Sequence, residues 1–378
     1  MNGRFGSSGP ASGGSMSLPT TEQSFEPEKA RPARAASDYT VLSRRVRDAG
    51  LLRRHPMRSV LRLAGTALLT ASGWALFVLV GDSWWQLLVA VVLAFAFTQC
   101  GFRGHEAGHR QLFTSRRACD WTGLVFGDLL IGLGFGWWLD KHNRHHAHPN
   151  QIDRDPDVGT GALVFIPGDA AGRRGIRAWW TRHQAGFFFP LLLLEGWNLH
   201  VASARALRHR HTGAPTPAAV EATLLLLHAA GYLTALALVL SPVKLVVFIV
   251  LQQGLFGLYM GASFAPNHKG MPMPSAEDKP DFLRSQVLTS RNVRGGPLTA
   301  FLLGGLNYQI EHHLFPSMPT NALPRARVLV REHCETLGLP YTETGLLDSY
   351  RQALNHLHAV GNDAPVLAAP QESPVTFP

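Results

Sequence analysis

Histidine is concentrated at three places in this chain: His105 and His109; His142, His145 and His146; and His312 and His313, three and four residues behind Gln309. The intervals are i, i+4 in the first cluster and i, i+3, i+4 in the other two. On a helix such positions share one face, so each cluster is expected to aim its side chains at a common point. Neutral imidazole is the commonest protein ligand for transition metals. Seven histidines are more than one tetrahedral zinc can take, and the pattern reads as a site for two metal ions.

Other readings of the same residues make different demands. His105-Glu106-Ala107-Gly108-His109 also fits HExxH, in which two helical histidines hold zinc and the glutamate activates water. An intramembrane metalloprotease of that kind needs one further ligand and leaves the other two clusters unexplained. A single HxxxH pair is more often a helix surface with hydrogen-bonded histidines, but three clusters argue against coincidence. A metal transporter is the non-enzymatic alternative, and transporters set their ligands at mid-membrane, within the spans.

The elements that must carry these clusters are apolar. The chain has 378 residues, 46% hydrophobic and only 16% charged, and the apolar residues fall in long blocks. Segments 60–81, 84–104, 220–240 and 243–265 are each long enough to cross a bilayer, which takes roughly 20 residues per helix. They predict an all-α integral membrane protein with four transmembrane helices in two hairpins. The histidine clusters lie just outside the spans, which argues against transport.

The formal charge is +9, and Arg44, Arg45, Arg47, Arg53, Arg54, Arg58 and Arg62 crowd the start of the first span. The turn Gly81-Asp82-Ser83 has no Lys or Arg, and the second turn has Lys244 only. The positive-inside rule therefore sets the N-terminus in the cytoplasm, and no nucleic acid is needed to explain the basic excess. Each hairpin begins and ends on one side, so all three clusters are expected in a cytoplasmic helical cap. Segment 187–194 is too short to span. Segment 121–139 is long enough, but Asp128, Gly123, Gly127, Gly132, Gly134 and Gly136 interrupt it, and it is expected to be re-entrant or interfacial. A full crossing there would put the first two clusters on opposite faces.

Residues 1–45, rich in Gly, Ser, Ala and Pro and without an apolar signal region, read as a disordered cytosolic tail. Residues 46–360 form the membrane domain, and 361–378 read as a second flexible tail. Cys100, Cys119 and Cys334 make no CxxC pair and no disulfide framework, which fits a reducing cytosolic face.

HEAGH (105–109), HNRHH (142–146) and QIEHHLFP (309–316) resemble the three histidine boxes of the membrane fatty acid desaturases, in the same order and at similar spacing. The likeness runs from about residue 95 to residue 345 and is most specific over Gly305-Leu306-Asn307-Tyr308 and the residues that follow. A glutamine opening the third box is similar to the front-end branch, which inserts a double bond between an existing one and the carboxyl end. The resemblance implies two irons held by His105, His109, His142, His145, His146, His312 and His313, with His268 as an extra ligand from the end of the fourth span. Asn267 is expected to hold a water near one iron. Gln309 replaces an imidazole by an amide, and weak ligation through oxygen, action through water, or mere orientation of its neighbours all stay open. Many members of that branch carry a His-Pro-Gly-Gly haem motif, which these residues lack, so the electrons are expected from a separate ferredoxin-like or cytochrome-type protein with its reductase. His148 is expected beside the ligands, and His200 is expected to make a structural hydrogen bond near Glu195.

The chemistry so implied suits the residues. Removing hydrogen from an unactivated methylene is beyond any side-chain base, so a metal centre that activates O2 must supply the power. Two electrons from a donor and two from the C–H bonds take O2 to two waters. The acyl substrate, carried on CoA, on a carrier protein or in a phospholipid, needs a dry channel. Trp121, Trp137, Trp138, Phe187, Phe188 and Phe189 are candidate walls, equally well read as an interfacial aromatic belt. Arg173, Arg174, Arg177 and Arg182 suit phosphates or an acidic donor, and equally a plain cytoplasmic loop. Asp153, Asp155 and Asp157 lack the EF-hand pattern and are expected to hydrogen-bond the metal-ligand histidines. A lipid or carotenoid hydroxylase is the alternative on the same scaffold, and the HExxH protease the alternative outside it.

Overall fold

The computed structural model describes residues 37–159, 161–208, 217–275, 277–278 and 280–362. These residues are mostly helical, since backbone groups in hydrocarbon can be satisfied only within their own segment or a closed barrel. α1 (Asp38–Asp48) leads to α2 (Pro56–Val80) and α3 (Gln86–Gly108). Pro56 opens α2 where its missing N–H is no loss, and Gly81 at φ 63° ends it. α4 (Arg116–Gly123) runs into a π-helical stretch, Leu124–Leu129, before α5 (Phe135–Ala147) and the short α6 (Pro167–Ala171). α7 (Gly175–Leu192) and α8 (Glu195–Ala206) meet at a bend of 80°. α9 (Ala218–Val239) and α10 (Pro242–His268) are the second pair of long apolar helices. After α11 (Phe282–Leu288), the two-residue strand β1 (Asn292–Val293) pairs in parallel with β2 (Glu343–Thr344). Between the strands lie α12 (Pro297–Leu302), α13 (Gln309–Leu314) and α14 (Leu323–Thr336), and α15 (Leu346–Gly361) follows β2.

Four described helices are long and apolar enough to cross a membrane: α2, α3, α9 and α10, or five spans if the bent α7–α8 pair counts as one. Their ends fall within four residues of the expected spans. α3 is the inner helix: 67% of its apolar window is buried, against 17% for α2 and 11% for α9, which leave their Leu and Val faces open as lipid requires. α10 packs chiefly on α3 and α8 rather than on its sequence neighbour α9. The two short turns meet, since Asp82 Oδ1 accepts from the Ser241 N–H at 2.9 Å and Asp82 Oδ2 lies 3.1 Å from Lys244 Nζ.

Segment 121–139 is interrupted, as its glycines and Asp128 suggest: it breaks at Gly132–Gly134 after the π-helical stretch, with Gly132 at φ 69°. One expectation needs adjusting. The expected tail reached residue 45, but Asp38–Asp48 is helical. Leu42 and Val46 are fully buried, and the Tyr39 hydroxyl donates to Leu314 O at 3.1 Å. Two buried positions four apart and a docked tyrosine outweigh the polar composition around them. Residues 1–36 and 363–378, the remainder of both tails, lie outside the described residues.

The α8–α10 crossing depends on small residues, the device by which membrane helices approach closely. A Cβ built on Gly257 would lie 2.3 Å from Gly196 N and 2.7 Å from Leu192 O, both backbone atoms that cannot step aside. Gly257→Val is expected to force the helices apart and to cost about 1–3 kcal/mol by overpacking, read as a lower thermal midpoint of the purified protein in detergent. An unchanged midpoint would show that the crossing is looser than it stands.

Candidate metal centre

The three clusters converge. His105 in the last turn of α3, His109 just beyond it, His142 on α5 and His312 on α13 bring ring nitrogens within 4.8 Å of one another. A second group, to the same limit, joins His145 on α5, His268 at the end of α10 and His313 on α13. All seven are buried. The rings of His105 and His142 are 4.9 Å apart, so the first two clusters cannot lie on opposite membrane faces.

The clusters do not each converge on a single point, as their spacing suggests. Residues 142 and 145 stand about 60° apart round α5 and the adjacent 312 and 313 about 100° apart round α13, at 3.6 residues per turn, and in each pair the two side chains turn to different groups. The second and third clusters are therefore each divided between the two groups. His146 is half-buried between them. Its Nε2 lies 3.0 Å from His142 Nε2, and its ring stacks on His313 at 4.1 Å.

The tautomers of the second group follow from its outer partners. His268 Nδ1 lies 3.0 Å from Thr289 O, a carbonyl that can only accept, so Nδ1 carries the proton. His145 Nδ1 faces the Asp155 carboxylate at 2.9 Å. His313 Nδ1 faces Gln286 Oε1 at 2.9 Å, while the Gln286 amide N–H donates to His146 O. Each Nε2 therefore bears a lone pair, and these lone pairs face one another: His145 to His268 at 3.3 Å and His268 to His313 at 3.1 Å. Three acceptors at that separation repel unless a cation lies among them. Around one ion with metal–nitrogen bonds of about 2.1 Å, ligand atoms stand roughly 3.0–3.4 Å apart. The residues fit a bound metal.

The first group gives the same answer from its unmet atoms. His105 Nε2 and His312 Nε2 are buried with no hydrogen-bond partner among the described residues, and His109 Nε2 stands 2.8 Å from His142 Nε2. Burial, then repulsion from neighbouring imidazoles, holds His109, His142, His146, His312 and His313 well below the ordinary histidine pKa, so they stay neutral and keep their lone pairs. Burial, the largest single influence, would raise Asp155, but the hydrogen bond and charge interaction with His145 and the hydrogen bond from the Asp157 N–H together hold the carboxyl below its ordinary value.

Glu106 does not face the metal groups as the HExxH reading requires. One of its oxygens is 2.6 Å from Arg103, and the other takes Arg62 at 2.7 Å together with the Thr320 hydroxyl. With both oxygens engaged, no carboxylate is free to activate water. Gln309 Oε1 accepts from Asn267 at 3.1 Å and its amide nitrogen lies 2.9 Å from His268 Nε2, so its oxygen points away from the histidines. Asn267 Oδ1 is buried without a partner among the described residues.

Of the three acids in the loop, Asp155 bonds His145, Asp157 pairs with Lys141 at 2.6 Å and lies 3.5 Å from His145, and Asp153 joins neither group. His148 stands outside both groups. His200 bonds Gly132 O and Gln253, not Glu195. Sequence reasoning missed Gln286, Thr289 and Arg291. Arg291 is fully buried and donates to Pro266 O at 2.9 Å and Lys269 O at 2.9 Å, holding the end of α10 at His268. Nothing periodic marks these three, since their role comes from what the chain folds against.

A cavity of about 350 Å³ adjoins the centre. Its lining includes His105, His142, His145 and Gln309 together with Ile131, Leu133, Phe188 and Met260. Trp137 and Trp138 also line it, whereas Trp121 is 46% exposed and, like Phe187 and Phe189, does not.

A family model described as fatty acid desaturase matches residues 82–345. The Delta(6)-fatty-acid desaturase fat-3 of Caenorhabditis elegans is 30% identical over 355 residues, which cover 88% of this chain and 77% of that protein. The Delta(8)-fatty-acid desaturase of Euglena gracilis is 29% identical over 336 residues, 86% of this chain and 79% of its own. The acyl-lipid (9-3)-desaturase of Physcomitrium patens is 28% identical over 290 residues, 74% of this chain and 54% of its own, so the match spans about half of that protein.

The outer partners give a direct test. Gln286→Leu leaves every imidazole in place but removes the acceptor that holds His313 Nδ1. Loss of such a partner typically weakens a metal site roughly 10–100-fold, and that loss is expected in chelator competition on the purified protein. Unchanged affinity would mean that His313 is oriented without Gln286.

Proposed function

The chain belongs to the fatty acid desaturase family, and from that premise we propose that it is an O2-dependent fatty acyl desaturase with an iron at each histidine group. His105, His109, His142 and His312 hold one iron, His145, His268 and His313 the other, and His146 serves between them. The observation that carries the assignment is the convergence of lone pairs at 3.1–3.3 Å in the second group. When bound, the metal pair supplies the oxidising power of O2, drawing two electrons from a donor and two from acyl C–H bonds, so that O2 leaves as two waters.

The chain's own residues do the rest. Ile131, Leu133, Phe188 and Met260 in the cavity lining take a hydrocarbon chain and exclude water, and the histidines of the same lining bring its methylenes beside the centre. The substrate is an acyl chain on CoA, on a carrier protein or in a phospholipid. Electrons come from a ferredoxin-like or cytochrome-type protein with its reductase. The arginines that precede and open α2 support a cytoplasmic position for the N-terminus and the centre. Gln309 on the cavity wall, together with the Delta(6) and Delta(8) names of the relatives, supports front-end insertion of a cis double bond.

Expression in a host with a simple fatty acid profile, fed mono- and di-unsaturated acids, tests this by gas chromatography–mass spectrometry. The expected product carries a new double bond between an existing one and the carboxyl end, and it disappears with the His312→Ala, His313→Ala double variant. A hydroxylated product would overturn desaturation while keeping the metal centre.

A further inference from the structure

The turn that enters α5 is buried and rich in glycine, and its backbone donors and acceptors are met from three directions. Gly134 N donates to Ser203 Oγ at 2.9 Å, Phe135 N to Asp128 Oδ2 at 3.2 Å and Gly136 N to Glu221 Oε1 at 2.9 Å. These N–H groups open a helix and have no partner within it. The acceptors come from α8, the π-helical stretch and α9. On the carbonyl side, His200 Nδ1 donates to Gly132 O at 2.9 Å and His228 Nδ1 to Leu129 O at 3.0 Å. A Cβ on Gly136 would lie 2.8 Å from Glu221 Oε2, and one on Gly132 would lie 2.4 Å from His228 Cδ2. The glycines make the room that these partners occupy.

A single serine or asparagine is the ordinary cap for a helix start. Here two buried acids and a buried serine share the task, Asp128 being 0% and Glu221 7% exposed, although carboxylates are costly away from water. Burial, then the neighbouring Glu221, pushes the Asp128 carboxyl up to about 8, which lessens that cost, and the helix N-terminus favours the negative charge that remains. The helix so held carries His142, His145 and His146. His142 lies seven residues beyond Phe135, about 10 Å along the axis at 1.5 Å per residue. Because α5 divides its histidines between the two groups, a small rotation moves both sets of nitrogens at once.

We propose that Asp128, Ser203 and Glu221 are positioning residues for the metal centre, fixing the rotation of α5 so that His142 faces one group and His145 the other. This rests on the ligand assignment above. Three full-length variants purified in detergent test it: Glu221→Gln, Glu221→Leu and Ser203→Ala. Iron affinity is measured by chelator competition, the iron-loaded spectrum is recorded, and folding is checked by circular dichroism. Glu221→Leu is expected to weaken iron binding about tenfold and to alter the spectrum, and Ser203→Ala to do the same to a smaller extent. Glu221→Gln, whose amide oxygen still accepts from Gly136, is expected to restore both. Folded Glu221→Leu with unchanged affinity and spectrum would overturn the proposal, as would a Glu221→Gln variant as defective as the leucine. If Glu221→Leu does not fold, Ser203→Ala decides by the same two readouts. Wild-type protein that binds no iron in this assay would overturn the ligand assignment instead, which separates the two failures.

Discussion

Imidazole lone pairs that face one another across about 3 Å, in a place closed to water, set the terms for the rest of this molecule. His145, His268 and His313 have already given their outer N–H groups to a carboxylate, a carbonyl and an amide. Their inner nitrogens can only accept, and nothing in the chain donates to all of them. The arrangement is repulsive as protein alone and attractive around a cation. Gln286, Asp155 and the Thr289 carbonyl each fix a tautomer, and Arg291 pins the end of α10 so that His268 arrives at the right height.

The same five-residue motif can do quite different chemistry depending on where its glutamate points. In HEAGH the two histidines face inward, while Glu106 turns to Arg103 and, across to α2, Arg62. Its negative charge balances two cations at the edge of the site, where a protease would use it on water. The acid thus ties α2 to α3 and, through Thr320, to the segment after α13. The motif specifies spacing on a helix; the role of its acid depends on neighbours over 40 residues before it and over 200 beyond.

Much of this was legible in the sequence. Long apolar blocks fixed the spans closely, because burying some 20 residues in hydrocarbon admits few solutions. The histidine spacings marked residues that the fold brings together, and QIEHHLFP carried the family. What could not be read was the division of the second and third clusters between two groups, since helical spacing predicts a shared face and says nothing of two targets beside it. Gln286 and Arg291 gave no signal because their partners lie elsewhere in the chain. The glycines between Gly123 and Gly136 marked an interruption, but not that two acids and two histidines would fill it. The tail boundary failed at Asp38 because composition averaged over a window hides two well-placed apolar residues, Leu42 and Val46.

Both histidine groups close through one six-residue helix, α13, which gives His312 to the first and His313 to the second. During synthesis the first two clusters exist long before that helix does. Neither group is complete until residue 313 has left the ribosome and α13 has settled against α3, α5 and α10. A chain cut short or half-inserted before α13 therefore lacks one histidine of each group, and neither group could close round a metal.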